Sequence, residues 1–191
     1  MKVMETRMKL LGQEHPDTLT SISNLASTYR DQGRWKEAEE LEVKALDTRK
    51  RVLGQEHPDT LESMANLAET CWSQARWKEA EELEVDVMET RKRGLGQEHP
   101  STLNSMASLA YTWQSQGRVA EAIAMLTQAA SSCSGQFGNH HPDIKAWVSS
   151  LKTWRSETRG GKACGAGRTH PEKQNRIRRR RPYSKGTAEK R

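Results

Sequence analysis

Apolar residues recur at helical spacing through most of the chain. In the first such stretch they lie three or four positions apart, or side by side on one face, at Leu19, Ile22, Leu25, Ala26 and Tyr29. This spacing indicates one face of an α-helix, whereas a strand would show apolar residues at every second position. The sequence DQGR (31–34) then interrupts the stripe at a glycine, a residue that commonly ends helices. The pattern therefore predicts two helices joined by a short turn, the second carrying the stripe Trp35, Ala38, Leu41, Val43, Ala45, Leu46 and Val52.

The same pattern returns every 42 residues, together with a recurring connector. The string LGQEHPDT starts at residues 11 and 53, LGQEHPST starts at 95, and the weaker copy FGNHHPD starts at 137. Its glutamate, histidine and aspartate could suggest a catalytic or metal site, but an enzyme has no need of one string at four evenly spaced places. A connector explains it better, because glycine ends a helix and proline suits the first turn of the next. We predict that His15, His57 and His99 cap the turns or pack between helices.

The period divides the chain into units. The segment METRMKLLG (4–12) matches METRKRGLG (88–96), so the chain begins inside a second helix, and we interpret it as a piece of a longer array. The last unit has one helix, in which Lys145 replaces the leucine of earlier units, as expected of a capping helix that faces water. The predicted organisation is a partial second helix at 1–12, repeats at 13–54, 55–96 and 97–138, a capping helix at 139–158 and a disordered basic tail at 159–191.

Composition narrows the class of protein. Hydrophobic residues make up 34% of the chain and charged residues 29%, which is enough for a solenoid whose units cover only their neighbours. No run of about 18 apolar residues is present, so no membrane-spanning segment is predicted. Cys71, Cys133 and Cys164 form neither a CxxC pair nor a disulfide framework, as is usual in a reducing compartment. We predict a cytoplasmic location, with the nucleus as the alternative because of the basic tail.

The charge is divided between two parts of the chain. Residues 1–143 hold 16 lysines and arginines against 22 aspartates and glutamates, a net charge of −6, and residues 144–191 hold 15 against 3, a net charge of +12. The tail could bind nucleic acid through its phosphates, serve as a nuclear-import signal, fold back on the acidic repeats, or have no function. Its cationic cluster consists of Arg176, Arg178, Arg179, Arg180 and Arg181.

Two long stretches resemble a known family. NLASTYRDQGRWKEAEELEVKAL (24–46) and NLAETCWSQARWKEAEELEV (66–85), with LGQEHPDT, resemble tetratricopeptide repeats of the kinesin-light-chain type, and especially the C-terminal repeats of fungal NLR-like nucleotide-binding receptors. The resemblance covers residues 4 to about 155 and implies an all-α, right-handed α-solenoid of 42-residue helix-turn-helix repeats. The chain departs from the family where Glu42 and Glu84 replace an aromatic residue and where Cys71 and Trp113 replace a tyrosine, which predicts looser packing there.

The resemblance also implies function. Such proteins are non-enzymatic scaffolds that bind a peptide segment or helix of another protein in a concave groove lined by the first helices. Asn24 and Asn66 match the asparagine that holds a partner's backbone, although they could instead only stabilise neighbouring helices. Trp72 and Tyr111 could anchor a partner by their area. The predicted groove residues are Asn24, Ser27, Arg30, Glu62, Asn66, Glu69, Trp72, Asn104, Ser108, Tyr111 and Gln114.

No catalytic residue, cofactor or metal site is predicted. None of the histidines has a nucleophile or carboxylate partner outside the repeated string, and His140 and His141 lack the spaced cysteines or carboxylates of a zinc site. The alternative to the scaffold is therefore the nucleic-acid or import function of the tail. The oligomeric state does not follow from the sequence.

Overall fold

The structure, a computed structural model, describes residues 2–138 and 141–159. Within these residues the regular structure is entirely helical, which confirms the predicted all-α class. Each helix packs against the next along the chain, so the helices form a row of hairpins. The helices are α1 (Lys2–Leu11), α2 (Pro16–Asp31), α3 (Trp35–Leu53), α4 (Pro58–Ser73), α5 (Trp77–Leu95), α6 (Pro100–Ser115), α7 (Val119–Phe137) and α8 (Pro142–Arg159).

The first helices of the repeats begin in one recurring way. Proline occupies the first turn, and the histidine before it is the N-cap of α2, α4 and α6. Nδ1 of His57 accepts a hydrogen bond from the backbone N–H of Asp59 at 3.2 Å, and His15 and His99 make the equivalent bond. Each bond satisfies one of the N–H groups that a helix start leaves without a partner. The predicted capping role of these histidines is therefore confirmed.

The turn inside each hairpin needs a left-handed backbone. Gly33 and Gly117 adopt φ of 78° and 84°, whereas the equivalent residue of the middle repeat is Ala75, at φ 59°. Ala75 is the one non-glycine residue with positive φ in the described part of the chain. Left-handed backbone costs an L-residue about 1–2 kcal/mol, so the middle turn is strained relative to its neighbours.

Replacing Ala75 with glycine should therefore stabilise the protein by about 0.5–1 kcal/mol, because the relief of strain exceeds the extra chain entropy of glycine. Chemical denaturation of the full chain measures this difference. Gly33→Ala is the matched control and should destabilise the protein by a similar amount. A loss of stability in Ala75→Gly would contradict the assignment of strain to this turn.

The core is a chain of three clusters between successive helices. Small residues with almost no exposed area, such as Ala26, Ala68 and Ala110, let the helices of each hairpin approach closely. The largest cluster joins α6, α7 and α8 and contains Trp147 and Trp154. Lys145 is exposed, as predicted for the capping helix, whereas its counterpart Leu103 is buried.

Arginines of the second helices bind the first helix of the following repeat. The guanidinium of Arg49, which is 5% exposed, donates to the hydroxyl of Ser63 at 2.5 Å and to the carbonyl of Asp59 at 3.3 Å. Arg7 and Arg91 bind the equivalent hydroxyls of Ser21 and Ser105, at 2.7 and 2.9 Å, and the equivalent carbonyls. These three arginine–serine junctions hold successive repeats together, and the apolar pattern of the sequence does not predict them.

The last junction is built differently. The position 42 residues after Arg91 is Cys133, and the position 42 residues after Ser105 is Trp147. Both are buried in the apolar cluster between α6, α7 and α8. A charged donor and its acceptor have thus been replaced together, so α8 is held at these positions by apolar packing where the other repeats use hydrogen bonds.

Candidate functional site

Side chains of successive first helices contact one another directly. Arg30 of α2 donates to the backbone carbonyl of Asn66 in α4 at 3.4 Å. The indole N–H of Trp72 in α4 donates to the hydroxyl of Ser115 in α6 at 3.1 Å. Tyr111 of α6 shares a hydrogen bond of 2.8 Å with the hydroxyl of Ser150 in α8. The side of α2, α4, α6 and α8 that carries these contacts is therefore one continuous surface, called here the first-helix wall.

The structure places the predicted groove residues on this wall at different depths. Asn24 and Glu62 are exposed, and Trp72 is buried. The remainder are half-buried, namely Ser27, Arg30, Asn66, Glu69, Asn104, Ser108, Tyr111 and Gln114. Whether any of them contacts a partner stays a prediction, but the half-buried set shows that much of the wall is used for contacts between helices.

Trp72 requires a correction. The sequence predicts an exposed aromatic anchor, but the side chain is 4% exposed and packs with Leu67 and Trp77 in the middle cluster. Its N–H is already bonded to Ser115. The indole has an apolar surface formed by α3, α4 and α5 and a hydrogen-bond acceptor in the following repeat, the two things that a buried tryptophan needs.

Tyr111 is likewise part of an aromatic contact. Its ring packs edge-to-face on Trp154, with 5.3 Å between the ring centroids. Trp154 and Ser150 were not among the predicted residues, although Ser150 lies 42 residues after Ser108 and could have been found from the period. The phenol is half-buried rather than fully buried, so one edge of it still reaches the surface of the wall.

Arg30 is a bridge between two carboxylates. Its guanidinium lies 3.1 Å from a carboxylate oxygen of Glu69 and 3.6 Å from one of Glu42, and it also donates to the hydroxyl of Ser27 at 3.3 Å. Its side chain is 11% exposed. One guanidinium thus lies between two carboxyl groups.

Glu42 is buried beneath the wall. It lies on α3, is 2% exposed, and neither of its carboxylate oxygens has a hydrogen bond among the described residues. Burial raises the pKa of Glu42 to about 7, against the smaller lowering influence of the nearby Thr70 hydroxyl and Arg30. The equivalent Glu84 is also buried, but it accepts a hydrogen bond of 2.6 Å from Thr112. Carboxylates therefore replace the family's aromatic residues inside the structure and not on its surface.

The outer turns carry a second recurring network. Arg76 and Gln74, in the turn after α4, donate to Glu39 of the preceding repeat at 2.6 and 2.7 Å. Arg118 and Gln116 make the same pair of bonds to Glu81. Burial acts to raise the pKa of Glu39, but the hydrogen bonds from Arg76 and Gln74 lower it overall.

Further predictions concern metal binding, membrane spans and the arginine-rich tail. No group of three or more metal-ligating side chains occurs within 2–138 and 141–159. No helix in the same part of the chain is long and apolar enough to cross a membrane. The cationic cluster from Arg176 to Arg181 lies outside the described residues, so its nucleic-acid or import function stays a prediction.

Comparison with family profiles matches two stretches. Two profiles, each described as tetratricopeptide repeat, match residues 1–51 and 17–93 in one case and residues 102–143 in the other. Together they cover more than two thirds of the chain. A comparison with curated proteins finds no match.

Solved structures with the same arrangement were also found. A putative kinesin light chain of Podosopora anserina with nearly identical TPR-like repeats is 28% identical to this chain, with a TM-score of 0.66 over 93% of this chain and 82% of that one. A single-substitution variant of that protein gives 27% identity, a TM-score of 0.67, and 93% and 81% coverage. BtubC (BKLC) from P. vanneervenii shares the fold at 21% identity, with a TM-score of 0.65, and the match covers 86% of this chain and 65% of that one.

Proposed function

Because the chain belongs to the tetratricopeptide repeat family, we propose that it is a non-enzymatic protein–protein interaction scaffold whose first-helix wall binds a segment of another protein. The observation that carries this proposal is the continuity of the wall, in which each first helix is joined to the next by a hydrogen bond from a side chain. A continuous surface several helices wide suits an extended or helical segment.

The chemistry of the wall supports recognition of a polypeptide. Asn24 and Glu62 are exposed, and Asn104 is half-buried on the same wall. An amide side chain offers both a donor and an acceptor, which is what the backbone of a peptide requires. The apolar faces of the first helices are turned into the core, so affinity for a partner would come from polar contacts and from the edge of Tyr111.

Binding should be lost when the exposed wall residues are removed. In a pull-down analysed by mass spectrometry, the full chain carrying Asn24→Ala, Glu62→Ala and Asn104→Ala should recover its specific partners about tenfold less than wild type, because a few central contacts carry most of the binding energy. Circular dichroism should show unchanged folding, since none of the three side chains is fully buried.

A matched control tests the opposite side of each hairpin. Glu40→Ala with Glu82→Ala changes exposed residues of the second helices and should leave recovery unchanged. Wild-type recovery by the wall variant would contradict the proposal. Recovery that disappears with nuclease or salt would favour the alternative function of the arginine-rich tail.

Finer assignments remain proposals. We propose the repeat boundaries 13–54, 55–96 and 97–138, which are set by the 42-residue period. The affiliation with fungal NLR-like receptors rests on the quoted stretches of sequence alone. A cytoplasmic location, with nuclear import as the alternative, rests on cysteine usage and on the basic tail.

A further inference from the structure

Among the first helices of the three repeats, negative charge is concentrated on α4. In α2, α4 and α6 together there are five acidic residues and one basic residue, Arg30. The middle helix α4 carries Asp59, Glu62 and Glu69 and no cation, and α6 carries no charged residue. The second helices differ, because they mix both signs: α3 holds five acidic and five basic residues, and α5 holds six acidic and four basic residues. Helix α4 therefore has the largest net negative charge of the helices of the repeats, which favours a cationic ligand there.

The one cation of these three helices is already shared. Arg30 lies between Glu69 and the buried Glu42, at 3.1 and 3.6 Å, and Glu42 has no hydrogen bond to either oxygen among the described residues. Glu62 lies on the same helix as Glu69 and is exposed. A second guanidinium near Glu62 and Glu69 would reduce the net negative charge of this region, and guanidinium groups bind carboxylates with paired hydrogen bonds.

The chain itself supplies such guanidinium groups. Residues 176–181 contain five arginines in six positions. The segment between the end of α8 and Arg176 could span at most about 55 Å if fully extended. The wall of α4 lies two repeats from α8, and packed helices are about 8–10 Å apart, so the cluster can reach it. A segment tethered within this range has a local concentration on the order of millimolar, so weak contacts are enough to keep it bound.

We propose that the arginine cluster of the same chain docks on the acidic wall of α4 and covers the binding surface until a partner displaces it. Arg178 to Arg181 would pair with Asp59, Glu62 and Glu69. The proposal rests on the proposed function, since covering the wall matters only if partners bind there. It accounts for the opposite charges of the two parts of the chain, −6 and +12, as the two sides of one contact.

The test uses the full chain at low concentration with a zero-length carbodiimide cross-linker, which joins lysine amines to carboxylates in direct contact. Lys173 and Lys185 flank the cluster. In the monomer, we expect cross-links from these lysines to Asp59, Glu62 and Glu69 at about tenfold higher yield than to Glu40 and Glu82 on the outer helices. Raising NaCl from 0.1 to 1 M, which shortens the Debye length from about 10 to about 3 Å, should lower the yield severalfold.

A tail variant completes the test. The full chain with R178Q, R179Q, R180Q and R181Q should lose the cross-links to α4, while its recovery of partners in the pull-down should rise. Equal yields on the wall and the outer helices, no cross-links to α4, or cross-links confined to a dimer would overturn the proposal. Cross-links need no partner protein, so they can succeed even if the proposed function fails, and the two failures remain distinguishable.

Discussion

Replacing Arg49 with alanine should lower the free energy of unfolding by about 3 kcal/mol, one of the two largest effects expected in this protein. The guanidinium is buried and donates to Ser63 and to the carbonyl of Asp59. Hydrogen bonds from a charged group contribute about 1.5–3 kcal/mol, and the buried acceptors would lose their donor. Alanine would also remove the methylene stem of this buried side chain.

Arg51 is the matched control, because it lies two residues away on the same helix but points into solvent. Its side chain is 63% exposed and pairs with Glu14, which is 55% exposed. Such surface pairs contribute less than about 1 kcal/mol. Urea unfolding of Arg49→Ala and Arg51→Ala, measured side by side, gives the two losses in free energy of unfolding, and the loss in Arg49→Ala should be the larger. Equal losses in the two variants would show that the arginine–serine junction does not hold the repeats together.

The second large effect concerns pH and Glu42. Burial raises the pKa of this carboxyl from its ordinary 4.5 to about 7, so between these values the folded chain binds a proton that the unfolded chain has released. The stabilisation is therefore complete below pH 4.5 and is lost as the pH rises through about 7, by up to about 3 kcal/mol. Glu39 and Glu81 act in the opposite sense, since their lowered pKa values contribute stability that disappears in acid. We expect maximal stability at about pH 4.5–5.

Glu42→Gln should remove the alkaline part of this profile. At pH 5 the free energy of unfolding of the variant should be no higher than that of wild type. At pH 8 it should be clearly higher, because the amide cannot ionise beside Glu69 and Glu39. Glu40→Gln changes the exposed side of the same helix. The stability of this variant should vary with pH in parallel with that of wild type. Denaturant midpoints across pH 5–8 measure both, and parallel curves for Glu42→Gln and wild type would refute the assignment.

The helices and their ends could be predicted because they depend on local signals. Pro58, the histidine before it and the glycine after the preceding helix all act within a few residues of where they stand. The apolar stripe likewise needs only the period of a helix. The positions of these elements were therefore readable without knowing what each helix packs against.

The buried charges could not be predicted in the same way. Arg49 and Glu42 lie in stretches of alternating charge that normally face water. Their burial depends on Ser63 and on Thr70 of the following repeat, which come close only when the hairpins stack. The burial of Trp72 could not be predicted for a related reason, since its hydrogen-bond acceptor, Ser115, lies 43 residues further on. A search for charged residues that recur at the 42-residue period would have identified the arginines.

The difference between the first three junctions and the last bears on how an array of this kind can grow. A duplicated repeat inserted after residue 54 would present an arginine to a serine on both sides, so copy number could change by recombination without a new interface. The same insertion after residue 138 would place an arginine opposite Trp147, at the position that Cys133 now occupies. A unit added before α8 would therefore need a new interface, whereas the interior can lengthen or shorten in whole units.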